Sequence, residues 1–115
     1  MSVVEKFEAI HLEAVQAAQE AADKFFQERM NGRDQYAAGW AWVELPYVKG
    51  NSNTALGRKL TELGYRAIDE GSGWRINNPA GHPTKNVDTK FHGAYAYARV
   101  LAKYGIEAYA MDSLG

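Results

Sequence analysis

Three groups of residues have the types and spacing that chemistry could use. His82, Asp88 and His92 place two imidazoles and a carboxylate within eleven residues, with Asp88 and His92 four apart. That set suits a transition metal or a proton-transfer pair. The spacing matches no established metal signature, and Asp88 is also the acid that a helix favours in its first turn, so no metal is assigned. The second group is Lys49-Gly50-Asn51-Ser52-Asn53-Thr54, followed by Arg58 and Lys59. Free N–H groups at a helix start, hydroxyls and nearby cations are what a phosphate needs. The spacing fits neither the Gly-x-x-x-x-Gly-Lys-Ser/Thr loop nor the dinucleotide glycine fingerprint, and ordinary capping accounts for Ser52 or Asn53. The third group is Trp40 and Trp42, two indoles on one side of a strand, which could stack on a flat ring or lie buried under a helix.

No serine elbow, cysteine nucleophile, paired-carboxylate motif or cofactor loop accompanies them. His82 and His92 as a small metal-dependent hydrolase is therefore a distant alternative, and the reading leans against an enzyme. No cofactor is implied.

Composition narrows the class. The chain has 115 residues, 46% of them hydrophobic and 12% aromatic, enough for one domain with a single core. It contains no cysteine, which excludes disulfides and thiolate metal sites. The opening Met-Ser-Val-Val-Glu has neither a basic start nor an apolar leader, and no apolar run reaches spanning length. The expectation is a cytoplasmic protein without a membrane partner. The net charge of −1 hides an asymmetry. Between residues 46 and 104 the bases Lys49, Arg58, Lys59, Arg66, Arg75, Lys85, Lys90, Arg99 and Lys103 outnumber Glu62, Asp69, Glu70 and Asp88. Such a segment attracts anions, unless acids nearby in space neutralise it.

The elements that must position these groups follow from periodicity. Residues 2–30 carry Val4, Phe7, Ile10, Ala14, Ala17, Ala18, Ala21, Phe25 and Phe26 at three- and four-residue steps, an amphipathic helix stopped by Asn31-Gly32. Residues 39–45, Gly-Trp-Ala-Trp-Val-Glu-Leu, alternate as a central strand: Ala41, Val43 and Leu45 to one face, Trp40, Trp42 and Glu44 to the other. A second helix carries Leu56, Leu60 and Leu63 and ends at Gly64. Residues 65–69 and 74–77 form a hairpin about Glu70-Gly71-Ser72-Gly73. A loop at residues 78–85 precedes a third helix over 87–104 with Asn86 as N-cap, and residues 106–111 make a last strand.

The spacing Leu60-x-x-Leu63-Gly64-Tyr65-x-Ala67 recurs as Leu101-x-x-Tyr104-Gly105-Ile106-x-Ala108. The expected fold is thus α+β: an N-terminal amphipathic helix (1–31), then a ferredoxin-like β-α-β-β-α-β unit (36–112) with a four-stranded antiparallel sheet, all one domain over 1–115. Both crossover helices take one face of the sheet. Trp40, Trp42 and Glu44, with Glu107, Tyr109 and Met111, take the other, and the first helix is the natural cover for that patch.

Gly39-Trp40-Ala41-Trp42-Val43, Val87-Asp88 leading into Gly93-Ala94-Tyr95-Ala96, and Leu101-x-x-x-Gly105 together resemble small uncharacterised proteins encoded by bacteriophages and prophages, over about residues 36–112. The resemblance implies a bacterial host's cytoplasm and an accessory or host-interaction role, and it assigns no functional residue.

The leading expectation is a non-enzymatic, oligomeric module whose basic middle binds an anionic small molecule, a nucleotide or nucleic acid, through Lys49, Arg58, Trp74, Arg75, His82 and Lys85. The alternative is a protein-interaction or structural module, binding a host protein or its own copies through the first helix.

Overall fold

The computed structural model describes residues 2–34, 37–48, 53–68 and 73–115. Seven elements follow in order: α1 (Val3–Arg29), β1 (Gly39–Leu45), α2 (Ala55–Glu62), β2 (Tyr65–Ala67), β3 (Trp74–Asn77), α3 (Val87–Lys103) and β4 (Tyr109–Leu114). The four strands make one antiparallel sheet in the order β2-β3-β1-β4. The fold is α+β, with a long N-terminal helix and helices gathered on one side of that sheet.

β1 is the hub because its alternation separates two environments. Ala41, Val43 and Leu45 are buried with Trp74 and Ile76 of β3 under the helices. In the register, Trp42 opposes Met111 and Asn77, and Glu44 opposes Tyr109 and Arg75, so those residues share the other face.

α3 lies over β1 and β4. Its start is set by Asn86, whose side-chain oxygen accepts from the Thr89 N–H at 2.8 Å. The segment before it is tied back by Asp34, which accepts from the Lys85 N–H with both oxygens, at 3.1 and 3.0 Å, and from the Thr84 hydroxyl. α2 starts at Thr54, which caps the Gly57 N–H at 2.9 Å. Thr54 replaces the expected Ser52 or Asn53, and Ser52 lies outside the described residues.

α1 corrects the main expectation about the indoles. It packs antiparallel along α3 on the helix side of the sheet and leaves the indole face uncovered. His11 meets Tyr97, Glu13 meets Lys103 and Tyr104, Phe25 stacks on His92 with ring centres 4.1 Å apart, and Asp23 meets His82. The physical reason is the stripe that is buried: Phe7, His11, Ala14, Ala18 and Ala22, small in its middle. Small residues let another helix approach, and α3 answers with Gly93, where an added Cβ would come 2.8 Å from the Ala80 Cβ and 3.4 Å from the Ala18 carbonyl oxygen. Helix-to-helix contact at this distance excludes a flat sheet as the partner. Ser2 and Glu5 close the helix start with a reciprocal capping box.

β4 begins at Tyr109, later than the expected residue 106. Tyr104, Gly105 and Ile106 are taken up in closing α3, with the Ile106 N–H on the Leu101 carbonyl and Gly105 at φ 82°.

Candidate functional site

The face that α1 leaves open is built from alternate residues of all four strands: Trp40, Trp42 and Glu44 of β1, Arg75 and Asn77 of β3, Arg66 of β2, and Tyr109 and Met111 of β4. Trp40 is 61% exposed. Its ring is braced from one side by the Gly115 backbone, where an added Cβ would come 2.5 Å from the indole. Tyr109 and Met111 are exposed beside it, and Tyr47 is exposed just beyond the end of β1.

Trp42 and Arg75 form the centre. The Arg75 Cζ lies 4.8 Å from the Trp42 ring centre, a cation on the face of an indole. Arg75 Nη2 also donates to Glu44 Oε1 at 3.3 Å. Arg75 Nε and Trp42 Nε1 are donors shielded from solvent, with no acceptor among the described residues. Arg66 stands directly across from Arg75 on β2 and is exposed, so two guanidiniums share this face with two indoles, and Arg75 lies against one of them, Trp42. The Tyr109 hydroxyl donates to Glu107 at 2.8 Å, which raises its pKa. Chemically this surface can stack planar rings and neutralise phosphates.

The residues expected from the sequence do not gather. Arg75 belongs to the open face. Trp74, its neighbour in the strand, points the other way and is 1% exposed in the core, because consecutive side chains in a strand take opposite faces. Arg58 is exposed near the start of α2 and donates to the Asn53 carbonyl at 2.6 Å. Lys85 is exposed beside the first residue of β1, whose N–H reaches the Lys85 carbonyl. Arg58 adjoins Lys59, which pairs with Glu8 in the early turns of α1, whereas the Lys85 N–H is held by Asp34 beyond the other end of that helix, so the two lie toward opposite ends of α1. Lys49 lies outside the described residues.

His82 serves the fold. Its Nε2 is 3.4 Å from Asp23 of α1, its Nδ1 accepts from the Thr84 N–H at 3.1 Å, and its ring lies 4.7 Å from that of Phe26. His92 bonds back to the Asp88 carbonyl at 2.9 Å and stacks on Phe25. The two histidines are thus each held against a different phenylalanine of α1. Among the described residues no three His, Cys, Asp or Glu side chains are placed to hold a metal ion, and no helix is long and apolar enough to cross a membrane.

Sequence reasoning missed a buried polar chain where α1, α3 and β2 meet. His11 Nδ1 is 2.7 Å from the Tyr97 hydroxyl, which is 2.5 Å from the Tyr65 hydroxyl. Burial lowers the His11 pKa, with the Glu8 carboxylate acting against it. Burial also raises both phenols, Tyr65 helped by Tyr97 beside it. All three groups are therefore neutral near pH 7, and the chain is a satisfied core network. The signal was the place of His11 on the stripe at 7, 11, 14, 18 and 22. A list of apolar residues alone skips it.

No protein-family model matches the chain, and neither a curated protein nor a solved structure does.

Proposed function

We propose that this protein is a non-enzymatic binding module that holds single-stranded nucleic acid across the open sheet face, stacking bases on Trp40 and on the Arg75–Trp42 pair while Arg66 and Arg75 meet phosphates. One observation carries the reading: two indoles two residues apart on β1, one of them 61% exposed, lie on a face that no helix covers and that also carries Arg75, against Trp42, and Arg66 on the next strand. Aromatic rings accept any base by stacking, and arginine planes stack as well as pair with phosphate. A duplex hides its base faces, so unpaired strands are the class this surface suits.

The β-α-β-β-α-β order after α1 and the strand order β2-β3-β1-β4 support reading the unit as ferredoxin-like. The anion-binding middle is thereby narrowed to its two residues on the sheet, Arg66 and Arg75. In this reading it acts as a phage-type accessory protein in the host cytoplasm. Oligomerisation through α1 is disfavoured, because α3 fills the α1 stripe within the chain.

The test is a tryptophan-fluorescence titration at low salt with oligo(dT), oligo(U) and a duplex of equal length. Single strands quench the wild type, and Trp40→Ala and Arg75→Ala weaken the response while thermal melts stay cooperative. Equal affinity for duplex and single strand, or no quenching by any of them, overturns the reading.

A further inference from the structure

We propose that β4 is the interface for a second copy of this chain, pairing antiparallel with its own counterpart about a two-fold axis at Met111. The two edges of the sheet are unlike. β2 is three residues long and carries Arg66, whereas β4 has six residues, Tyr-Ala-Met-Asp-Ser-Leu, with Asp112 its one charge and no lysine, arginine or proline to block pairing. A long edge without such guards is a template for another strand.

The backbone fixes which groups are free. The Gly39 N–H is turned away from β4 to the Lys85 carbonyl, so the Gly39–Leu114 pair is of the non-hydrogen-bonded kind, and the Gly115 N–H reaches the Ala38 carbonyl. Alternation then turns the N–H and C=O groups of Met111 and Ser113 to β1 and those of Ala110, Asp112 and Leu114 outward. With the axis at Met111, Ala110 faces Asp112 of the second copy and Ala108 faces Leu114. Outward groups meet outward groups, and every facing pair lies on the same side of the sheet.

Side-chain chemistry chooses a second copy over an unrelated strand. On the helix side, β4 and α3 leave a groove of about 290 Å³ lined by Ala98, Ala102, Ala108 and Ala110 together with Phe91, Tyr95, Tyr109 and Arg99. On that same side β4 exposes Leu114, 70% accessible, and Asp112. Among the described residues neither Arg99 nor Asp112 forms an ion pair. In this register each copy's Leu114 enters the other's alanine groove and each Asp112 comes to the other's Arg99. Groove and plug, cation and anion are carried by one chain, which is the self-complementarity that a two-fold interface requires.

The experiment is sedimentation velocity over a concentration series of the full chain, with melts by circular dichroism on every variant. The wild type sediments at twice the monomer mass. Ala110→Pro removes an outward N–H without touching the β1 ladder, and Asp112→Arg and Arg99→Asp each set like charges together, so each of the three weakens the dimer at least tenfold. The Arg99→Asp, Asp112→Arg double variant regains it. Leu114→Lys, at an exposed site, gives the same loss as Asp112→Arg and replaces it if that variant melts early. A monomeric wild type, a dimer indifferent to Ala110→Pro and Leu114→Lys, or a double variant that stays monomeric overturns the proposal.

Discussion

The Arg75 guanidinium rests on the Trp42 indole, 4.8 Å from the ring centre, while Glu44 holds its Nη2 at 3.3 Å. The arginine is thereby kept flat on the sheet and partly neutralised. Glu44→Gln releases that charge to a phosphate, so the affinity for oligo(dT) should rise a few-fold. Arg75→Ala should lower it about tenfold, or ~1.4 kcal/mol. Anisotropy titrations of the two variants check both directions.

Most of the Trp40 surface is exposed, so in the proposed binding mode it stacks on a base without supporting the core. Trp40→Ala should cost about 1–3 kcal/mol of binding and leave the melting temperature nearly unchanged. A large loss of stability would place the indole in the fold instead of at the ligand.

Arg66 and Arg75 are the cations on the face, cross-strand neighbours. Two phosphate contacts on a single strand give a log–log salt slope of roughly −1.4. Arg66→Ala should bring it nearer −0.7, read from titrations at a series of salt concentrations.

Tyr97 sits between His11 and Tyr65. Tyr97→Phe keeps the ring and strands two buried polar groups, at a cost of about 1–3 kcal/mol. Urea denaturation measures it. Gly93→Val should cost a similar amount or more, because the added atoms meet the Ala80 Cβ and the Ala18 carbonyl.

His11 also sets a pH dependence. Burial holds its folded pKa below the ordinary 6.5, so the unfolded chain takes up the proton first. The stability owed to the neutral ring is fully present above 6.5 and is lost as the pH falls through the lower folded value. His11→Gln should flatten the melting temperature against pH in the mildly acidic range. Asp34, whose carboxyl is held low by the Thr84 hydroxyl and the Lys85 N–H, loses its contribution at more acid pH still.

Local rules reached the fold where one force dominates. Strict alternation places β1 at Gly39–Leu45, and the Asn86 cap with Gly105 bounds α3. They failed where two partners satisfy the same pattern. An alanine stripe fits against a sheet as well as against a helix, and only Gly93 on the far side of the contact decides between them. Ile106 and Ala108 alternate like a strand, yet Ile106 is used in closing α3, and the strand starts only at Tyr109. For the site, the indoles were legible as a pair, but their exposure depends on where α1 goes. The meeting of Arg66 with Arg75 depends on a hairpin register that no single residue encodes. Charge asymmetry and loop composition point to Trp74 and His82 as ligand contacts, but strand alternation turns Trp74 into the core, and His82 packs on Phe26 and meets Asp23.

The antiparallel seating of α1 on α3 also bears on how the chain acquires its structure. His11 and Tyr97 are 86 residues apart, and Glu13 and Lys103 are 90 apart. α1 therefore finds its helix partner only once α3, more than 50 residues further on, has been made. Until then Ala14, Ala18 and Ala22 lack the α3 face that buries them, although Phe7 can already meet Tyr65. Contacts of such long range slow folding and leave apolar surface exposed to aggregation or chaperone capture during synthesis, so chains ending before Val87 should accumulate as chaperone-bound or insoluble material even though most of the sheet is already encoded in them.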